Sequence, residues 1–383
     1  MTDVLVVGAG AFGAWTAHHL VAAGARVAVI DAYGPGNARS SSGDESRIIR
    51  CGYGPDEIYS RWARRSLSQW LRFFDDIARL EPPLFYRCGV LWMGTSGDSY
   101  TDATRETLQR SGHPVRVLDA AALRTEYPHL LADDVTSALL EPDCGVLMAR
   151  RAVQTLIAHL ERRGAEVRRG RVHPPGGSAP RLQSVRVATI GNLQADAFVF
   201  ACGPWLPKIF PALLERRIRP TRQVVMYFGS PPGDERFGPQ RTPAWVDFAS
   251  GIYGVPDIEA RGLKVGIDAH GPPFDPDTED RIVDDASIAT ARAWLRRRFP
   301  PLADAPLLES RVCQYENTST GDFLIDRHPE FENVWMVGGG SGHGFKHAPA
   351  VGEHVAALIG GTVAPEPRFS LSTKGTESSR AVF

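Results

Sequence analysis

The chain has 383 residues, 43% of them hydrophobic and 23% charged, with a formal net charge of −1. That is the composition of an ordinary globular protein, long enough for two domains or for one dinucleotide fold carrying a large insertion. It offers no basic block as a footprint for nucleic acid or an anionic membrane, and no apolar run near the roughly 18 residues that a membrane span needs.

In chain order, "DVLVVGAGAFGAWTAHHLVAAGARVAVIDA" reads as strand, tight turn, helix and strand. The run Val4 to Val7 is continuously apolar, as in a buried parallel strand. Gly8, Gly10 and Gly13 then form GxGxxG around Ala11 and Phe12. The first glycine serves the turn, the second lets backbone approach a pyrophosphate, and the third allows close helix–strand packing. The pyrophosphate would sit on the helix N-terminus, where unpaired N–H groups favour negative charge. The second strand, Val27 to Ile30, ends at Asp31, placed to accept from a ribose hydroxyl. These features predict a dinucleotide and leave NAD and FAD both open. The chain has no basic leader and no peroxisomal terminus, so the cytoplasm is expected.

A nicotinamide fold would continue with further strand–helix units, but here the chain breaks into "YGPGNARSSSGDESRIIRCGYG". In its "RIIR", Arg47 and Arg50 share a face if the segment is helical and point to opposite sides if it is extended. Residues 56–79 have the amphipathic spacing of a core helix, with Ile58, Trp62, Leu67, Trp70, Phe73, Phe74 and Ile77 inward. "FYRCGVLWMG" and "VRVLDAAALRTEYPHL" suggest a strand and then a short helix. "MARRAVQTLIAHLERRGAEVRRGRV" is a helix feeding a strand, and "QADAFVFACGPW" is another buried strand stopped by glycine. Val172 and the turn Ala201 to Gly203 are candidate adenine-side contacts. "RPTRQVVMYFG", "PAWVDFASGIYGVP" and "GLKVGIDAHG" are short strands at hairpin spacing and imply an inserted antiparallel sheet. The helix "DDASIATARAWLRRRF" follows, and the last dozen residues read as disordered.

The cysteines Cys51, Cys88, Cys144, Cys202 and Cys313 contain no CxxC pair. An odd, unclustered set argues against a disulfide framework and against a zinc site, so no metal is expected. Buried, inert thiols in a reducing compartment are the expectation for most of them.

Taken in order, GxGxxG, "SSGDESRIIR", "CQYENT", "FLIDRHP" and "SGHGFKH" resemble the family of monomeric sarcosine oxidase, N-methyltryptophan oxidase and pipecolate oxidase, within the D-amino-acid-oxidase-like flavoproteins. The resemblance spans essentially the whole chain. It implies an α/β fold: a Rossmann-like FAD-binding domain with an inserted α+β substrate domain built on an antiparallel sheet. FAD-binding parts are expected at residues 1–80, 145–215 and 319–365, substrate-domain parts at 81–144 and 216–318, and a tail at 366–383.

The resemblance also implies roles. Cys313 would hold FAD through an 8α-S-cysteinyl bond. The turn Gly340, Gly342, His343 and Gly344 would run along the flavin, with Ser42 and Ile48 near it and Arg47 beside the ring. Backbone N–H groups of that turn would reach the pyrimidine carbonyl, which becomes anionic on reduction. Lys346, assisted by Arg50, would clamp a substrate carboxylate. Lys264 would promote reduction of O2 by stabilising superoxide, and Tyr253 and Tyr315 would line the substrate pocket. Asp268 departs from sarcosine oxidase, which carries a histidine there, so the pocket polarity differs. The implied activity is oxidation of an N-alkyl or cyclic secondary α-amino acid to an imine, with O2 reduced to H2O2, by a protein favoured to be monomeric. A flavin-dependent dehydrogenase, or a natural-product tailoring oxidase for a bulkier amine, is the alternative.

Overall fold

Two sheets of opposite character organise the chain in the computed structural model, which describes residues 2–77, 82–95, 97–177 and 180–376. The first has six strands in the order Leu324–Arg327, Val334–Gly338, Ala197–Phe200, Val4–Val7, Val27–Asp31 and Glu166–Arg169. All neighbours are parallel except the edge pair Leu324–Arg327 and Val334–Gly338. Val4 to Val7 are all buried because both faces of the sheet are covered: Val4 and Val6 pack in one core with Ala17 and Leu20, and Leu5 and Val7 in another with Val185, Val187 and Leu206. The helix Ala11–Ala22 leaves the first strand through the glycine turn. A Cβ on Gly13 would lie 1.9 Å from the Gly8 carbonyl oxygen, so only glycine lets the helix come this close to the turn.

The second sheet has eight strands, in the order Leu307–Thr318, Ile218–Phe228, Leu263–Ile267, Ile252–Val255, Ala244–Asp247, Val90–Gly94, Ser137–Glu141 and Arg116–Leu118. It is antiparallel apart from the pair Ala244–Asp247 and Val90–Gly94. The two long strands pair from Ile218 with Thr318 to Phe228 with Leu307, which sets Cys313 opposite Gln223 and Tyr315 opposite Thr221. The helix Asp285–Arg298 covers this sheet, with Asp284 capping it through Ser287 N and Trp294 stacked on Trp245. Strands of the six-stranded sheet come from three stretches of sequence and those of the eight-stranded sheet from two, so the chain crosses repeatedly between them.

"RIIR" is extended: Arg47–Ile49 is a strand paired antiparallel with Gly145–Leu147. The amphipathic helix runs Glu57–Asp76, burying Leu67, Trp70 and Phe73, while Ile58, Trp62 and Phe74 are partly buried against the same core. The expected last turn, from residue 78, lies outside the described residues. The disorder expected of the last dozen residues is corrected for residues 372–376, where Lys374 Nζ donates to the Arg368 carbonyl and Gly375 N to Ser319 Oγ. Two short 3-10 turns, Pro367–Phe369 and Leu371–Thr373, dock there, and Phe369 and Lys374 are buried. Arg368 anchors the segment through Asp56 and Asp322, and the Phe369 ring packs on Tyr59, Trp62 and Phe323. Residues 377–383 lie outside the description. Among the described residues no helix is long and apolar enough to cross a membrane.

Candidate active site

Two adjoining cavities open where the sheets meet. The larger, of ≈ 360 Å³, is lined by Gly8, Gly10, Ala11, Phe12, Asp31, Ser42, Val172, Ala201, Gly203, Gly340 and Gly344. The smaller, of ≈ 80 Å³, is lined by Ile48, Arg50, Tyr253, Asp268, His343 and Lys346. Arg47, Cys313, Tyr315, Gly342 and Phe345 belong to both walls. The structure thus brings together nearly every residue singled out in the sequence. Gly13 stands behind the larger cavity as a packing residue, and Lys264 lines neither.

The larger cavity has the parts a dinucleotide requires. Gly8 adopts φ +109°, and a Cβ there would meet the Ala201 carbonyl oxygen at 2.3 Å. The helix beginning at Ala11 has no side-chain cap on Gly10, and its first residues face the cavity, so its positive end is turned toward any anion inside. Ser42 Oγ accepts from Ala11 N at 3.1 Å and ties the polar loop to that helix start. The Asp31 carboxylate accepts from Ala9 N, Tyr33 N and Gly34 N, each at 2.8 Å, which fixes its orientation at the strand end.

Glu316, which the sequence reading passed over, is a buried acid in this wall. Its Oε1 accepts from Gly340 N, while among the described residues Oε2 has no partner. Burial pushes its carboxyl up to about 7. An incoming hydroxyl or imide N–H would satisfy that orphan oxygen, so the hydrogen-bonding groups of the wall fit a riboflavin-type dinucleotide.

The smaller cavity is cationic. Arg50 and Lys346 are 5% and 7% exposed and face the same space. Arg50 donates to the Gly52 carbonyl and its guanidinium lies over the rings of Tyr53 and Trp92, at 4.5 and 4.8 Å from their centroids. Lys346 Nζ donates to Tyr53 Oη at 3.0 Å and to the His343 carbonyl at 3.2 Å. Burial, and then the neighbouring Arg50, hold the Lys346 amine well below its usual range. Opposite them, Asp268 accepts from Tyr315 Oη at 2.7 Å, and burial pushes its carboxyl up to about 6. Gly342, at φ +80°, lets the late glycine turn close over the Tyr315 ring, which a Cβ would approach to 2.7 Å.

Asp44 is the second residue missed. It accepts from Arg47 at 2.6 Å, from Lys264 Nζ at 2.5 Å and from Tyr227 Oη at 2.9 Å. Burial alone would raise its carboxyl, but Lys264 and Arg47 hold it far below the ordinary range. Burial likewise moves the Lys264 amine down against the attraction of Asp44. Arg47 also donates to the Ser41 carbonyl at 2.7 Å and to Cys313 Sγ at 3.6 Å. Asp44 and Glu316 both stand inside quoted motifs, "SSGDESRIIR" and "CQYENT". A single acid in a polar segment carries no signal of burial, so the sequence had little to mark them.

Three of the five cysteines stand out. Cys313 is partly exposed into both cavities. Cys51 and Cys144 are buried and lie 3.7 Å apart, sulfur to sulfur. The expectation of an unclustered set is corrected: 93 residues separate them in sequence, and strand pairing closes that gap.

The model of the FAD dependent oxidoreductase family matches residues 3–358. Monomeric sarcosine oxidase of Bacillus sp. (strain B-0618) is 31% identical over 98% of this chain and 97% of its own length. N-methyl-L-tryptophan oxidase of Salmonella heidelberg (strain SL476) is 29% identical over 97% of each chain. Among solved structures, L-proline dehydrogenase from P. horikoshii superposes with a TM-score of 0.84 at 21% identity, over 97% of this chain and 96% of that one. A thermally stable mutant of fructosyl peptide oxidase gives 0.83 at 21% identity, over 98% and 94%. The helix-start cradle, the orphan acid and the match along nearly the whole length agree, and the chain belongs to the FAD dependent oxidoreductase family.

Proposed function

We propose that the protein is an oxidase of a small secondary α-amino acid, N-alkyl or cyclic, converting its C–N bond to an imine and reducing O2 to H2O2. The observation that carries this reading is the convergence of two buried cations, Arg50 and Lys346, on a small cavity that shares a wall with the dinucleotide cavity. Two cationic side chains turned into one small cavity can hold a substrate carboxylate by charge-assisted hydrogen bonds. The names of the sarcosine and N-methyltryptophan oxidases support an N-alkyl amino acid as substrate.

FAD would lie with its adenosine end toward Asp31 and Val172, its pyrophosphate at Gly10 and Ser42, and its ring between Cys313 and the turn Gly340 to Gly344. The chemistry the flavin supplies is acceptance of a hydride equivalent from the carbon beside nitrogen and delivery of the electrons to O2. The side chains bind and orient. Arg50 and Lys346 fix the carboxylate, Tyr253 and Tyr315 confine the rest, and Asp268 faces the amine, whose unprotonated form is the reactive one. Above about pH 6 Asp268 is a carboxylate that can accept a hydrogen bond from the substrate N–H, while the ammonium proton is lost to solvent. Arg47 stands against Cys313 Sγ, where its charge complements the attachment of sulfur to the ring. Lys264 would serve O2, held in place by Asp44. A cytoplasmic monomer is part of the same proposal, supported by five free cysteines and by the monomeric relatives.

The cavity of ≈ 80 Å³ favours a small acid over the bulkier amine of the alternative reading. The test is a screen of N-methyl and cyclic amino acids, alongside their carboxamides and decarboxylated analogues, for peroxide release. The reading requires turnover of an acid and a large loss for the paired carboxamide. Equal turnover of acid and carboxamide would sink it.

A further inference from the structure

Beneath the substrate arginine lies a cluster that the oxidation reaction does not use. Cys51, His113, Glu141 and Cys144 are buried, and their donor atoms all lie within 4.8 Å of one another. Cys144 Sγ is 3.7 Å from Cys51 Sγ, 3.8 Å from His113 Nε2 and 3.3 Å from Glu141 Oε2, and the histidine and carboxylate atoms are 3.2 Å apart. A tetrahedral zinc site with Zn–S of about 2.3 Å and Zn–N or Zn–O of about 2.0–2.1 Å has an S···S edge of about 3.8 Å, S···N and S···O edges of about 3.6 Å and an N···O edge of about 3.4 Å. The four measured edges fall within about 0.3 Å of those values. Two thiols at this separation are too far apart for an S–S bond of about 2.05 Å.

We propose that Cys51, His113, Glu141 and Cys144 form a structural Zn(II) site. Soft sulfur donors with imidazole and one carboxylate, closed on all four sides, are the donor set of a structural zinc rather than of magnesium or calcium. On binding, each thiol gives up its proton to solvent and the sulfurs become ligands as thiolates. The outer shell is already in place. Trp92 Nε1 donates to Glu141 Oε1 at 2.8 Å, and Cys51 N donates to Oε2 at 2.7 Å.

Trp92 also carries the Arg50 guanidinium on its ring, and Arg50 immediately precedes Cys51 and donates to the Gly52 carbonyl. The ion therefore ties three distant segments into a floor that positions Arg50 at the substrate cavity. No residue of the cluster lines either cavity, so the ion is structural and takes no part in electron transfer.

The test uses the full-length holoprotein, expressed with zinc in the medium and dialysed. Elemental analysis is expected to find about one zinc per chain. X-ray absorption should show a mixed shell of two sulfurs at about 2.3 Å and two lighter atoms at about 2.0 Å. Titration of thiols with a mercurial should release the metal in step with the loss of Cys51 and Cys144. Refolding with Co(II) should add thiolate-type bands in the red, clear of flavin absorption. Cys144→Ser and Cys51→Ser should lose the metal. If those variants do not fold, the mercurial titration of the wild type decides alone. Metal content well below one per chain with no uptake of Co(II), a shell of light atoms only, or an intact mass showing a Cys51–Cys144 disulfide in the purified protein would each overturn the proposal.

Discussion

Lys264 and Asp44 form an ion pair sealed from water, Nζ to Oδ2 at 2.5 Å, with side chains 1% and 4% exposed. Arg47 and Tyr227 reach the same carboxylate. Asp44 therefore neutralises part of two cations at once, the buried Lys264 and the half-buried Arg47, and removing it leaves both charges with little compensation. Asp44→Asn should lower stability to denaturant by roughly 3–5 kcal/mol, more than Lys264→Met, where Arg47 and Tyr227 still hold the carboxylate. If Asp44→Asn unfolds at the wild-type midpoint, the pair contributes nothing of this kind.

The same pair bears on oxygen. A cation held in low dielectric lowers the energy of superoxide as the first electron leaves. Lys264→Met should slow reoxidation by O2 roughly 10²-fold while flavin reduction by substrate changes little. Stopped-flow measurement of the two half-reactions separates the effects, and equal slowing of both would remove Lys264 from the oxygen step.

Cys313 is the cysteine open to both cavities, with the Arg47 guanidinium at 3.6 Å. Acid precipitation of the wild type should keep the yellow colour in the pellet, and Cys313→Ser should release it to the supernatant while still binding FAD. Colour lost to the supernatant from the wild type means that the flavin is not covalently attached.

How much of this was legible in the sequence follows from the range over which each signal acts. The turn Gly8, Gly10 and Gly13, with its two strands, is local, and local sterics dictate it. The residues of "RIIR" do not by themselves decide between strand and helix, because two isoleucines between two arginines satisfy either period. The partner strand Gly145–Leu147, about a hundred residues away, decides it. The hub at Asp44 and the cluster of Cys51 with Cys144 exist only after strands from separate segments pair. Asp44 sits on a loop, and its burial depends on Lys264 and Tyr227 of the eight-stranded sheet. The docked C-terminal turns depend likewise on Arg368 finding Asp56, and nothing near residue 368 announces that partner.

Arg50 and Lys346 should be separable by chemistry. Lys346→Met removes an ammonium that burial and Arg50 already hold down, whereas Arg50→Lys exchanges a planar fork for a point charge. Each should raise the Kd of a simple carboxylate inhibitor, read from the flavin absorbance, by roughly 10–10²-fold, about 1.4–2.8 kcal/mol. Binding of an uncharged isostere should hardly move. Equal losses for the acid and the neutral analogue would mean that the two residues shape the cavity without clamping an anion.

Asp268 gives the activity and the stability a shared pH signature. Its carboxyl is raised by burial from 3.8 to about 6, although the Tyr315 hydrogen bond and the charges of Arg50 and Lys346 pull the other way. Between those two values the folded chain keeps a proton that the unfolded chain has lost. Stability therefore falls as pH rises through that window and is level above it. Asp268→Asn has no such proton, so its Tm should gain on the wild type as pH rises from about 4 to about 7, by roughly 2 °C or more in all. The kcat/KM of the wild type should climb through about pH 6 as the carboxylate forms, and that limb should vanish in the asparagine variant. A Tm difference that stays constant across the window, together with an unchanged acid limb, would show that Asp268 titrates elsewhere and leaves the substrate amine alone.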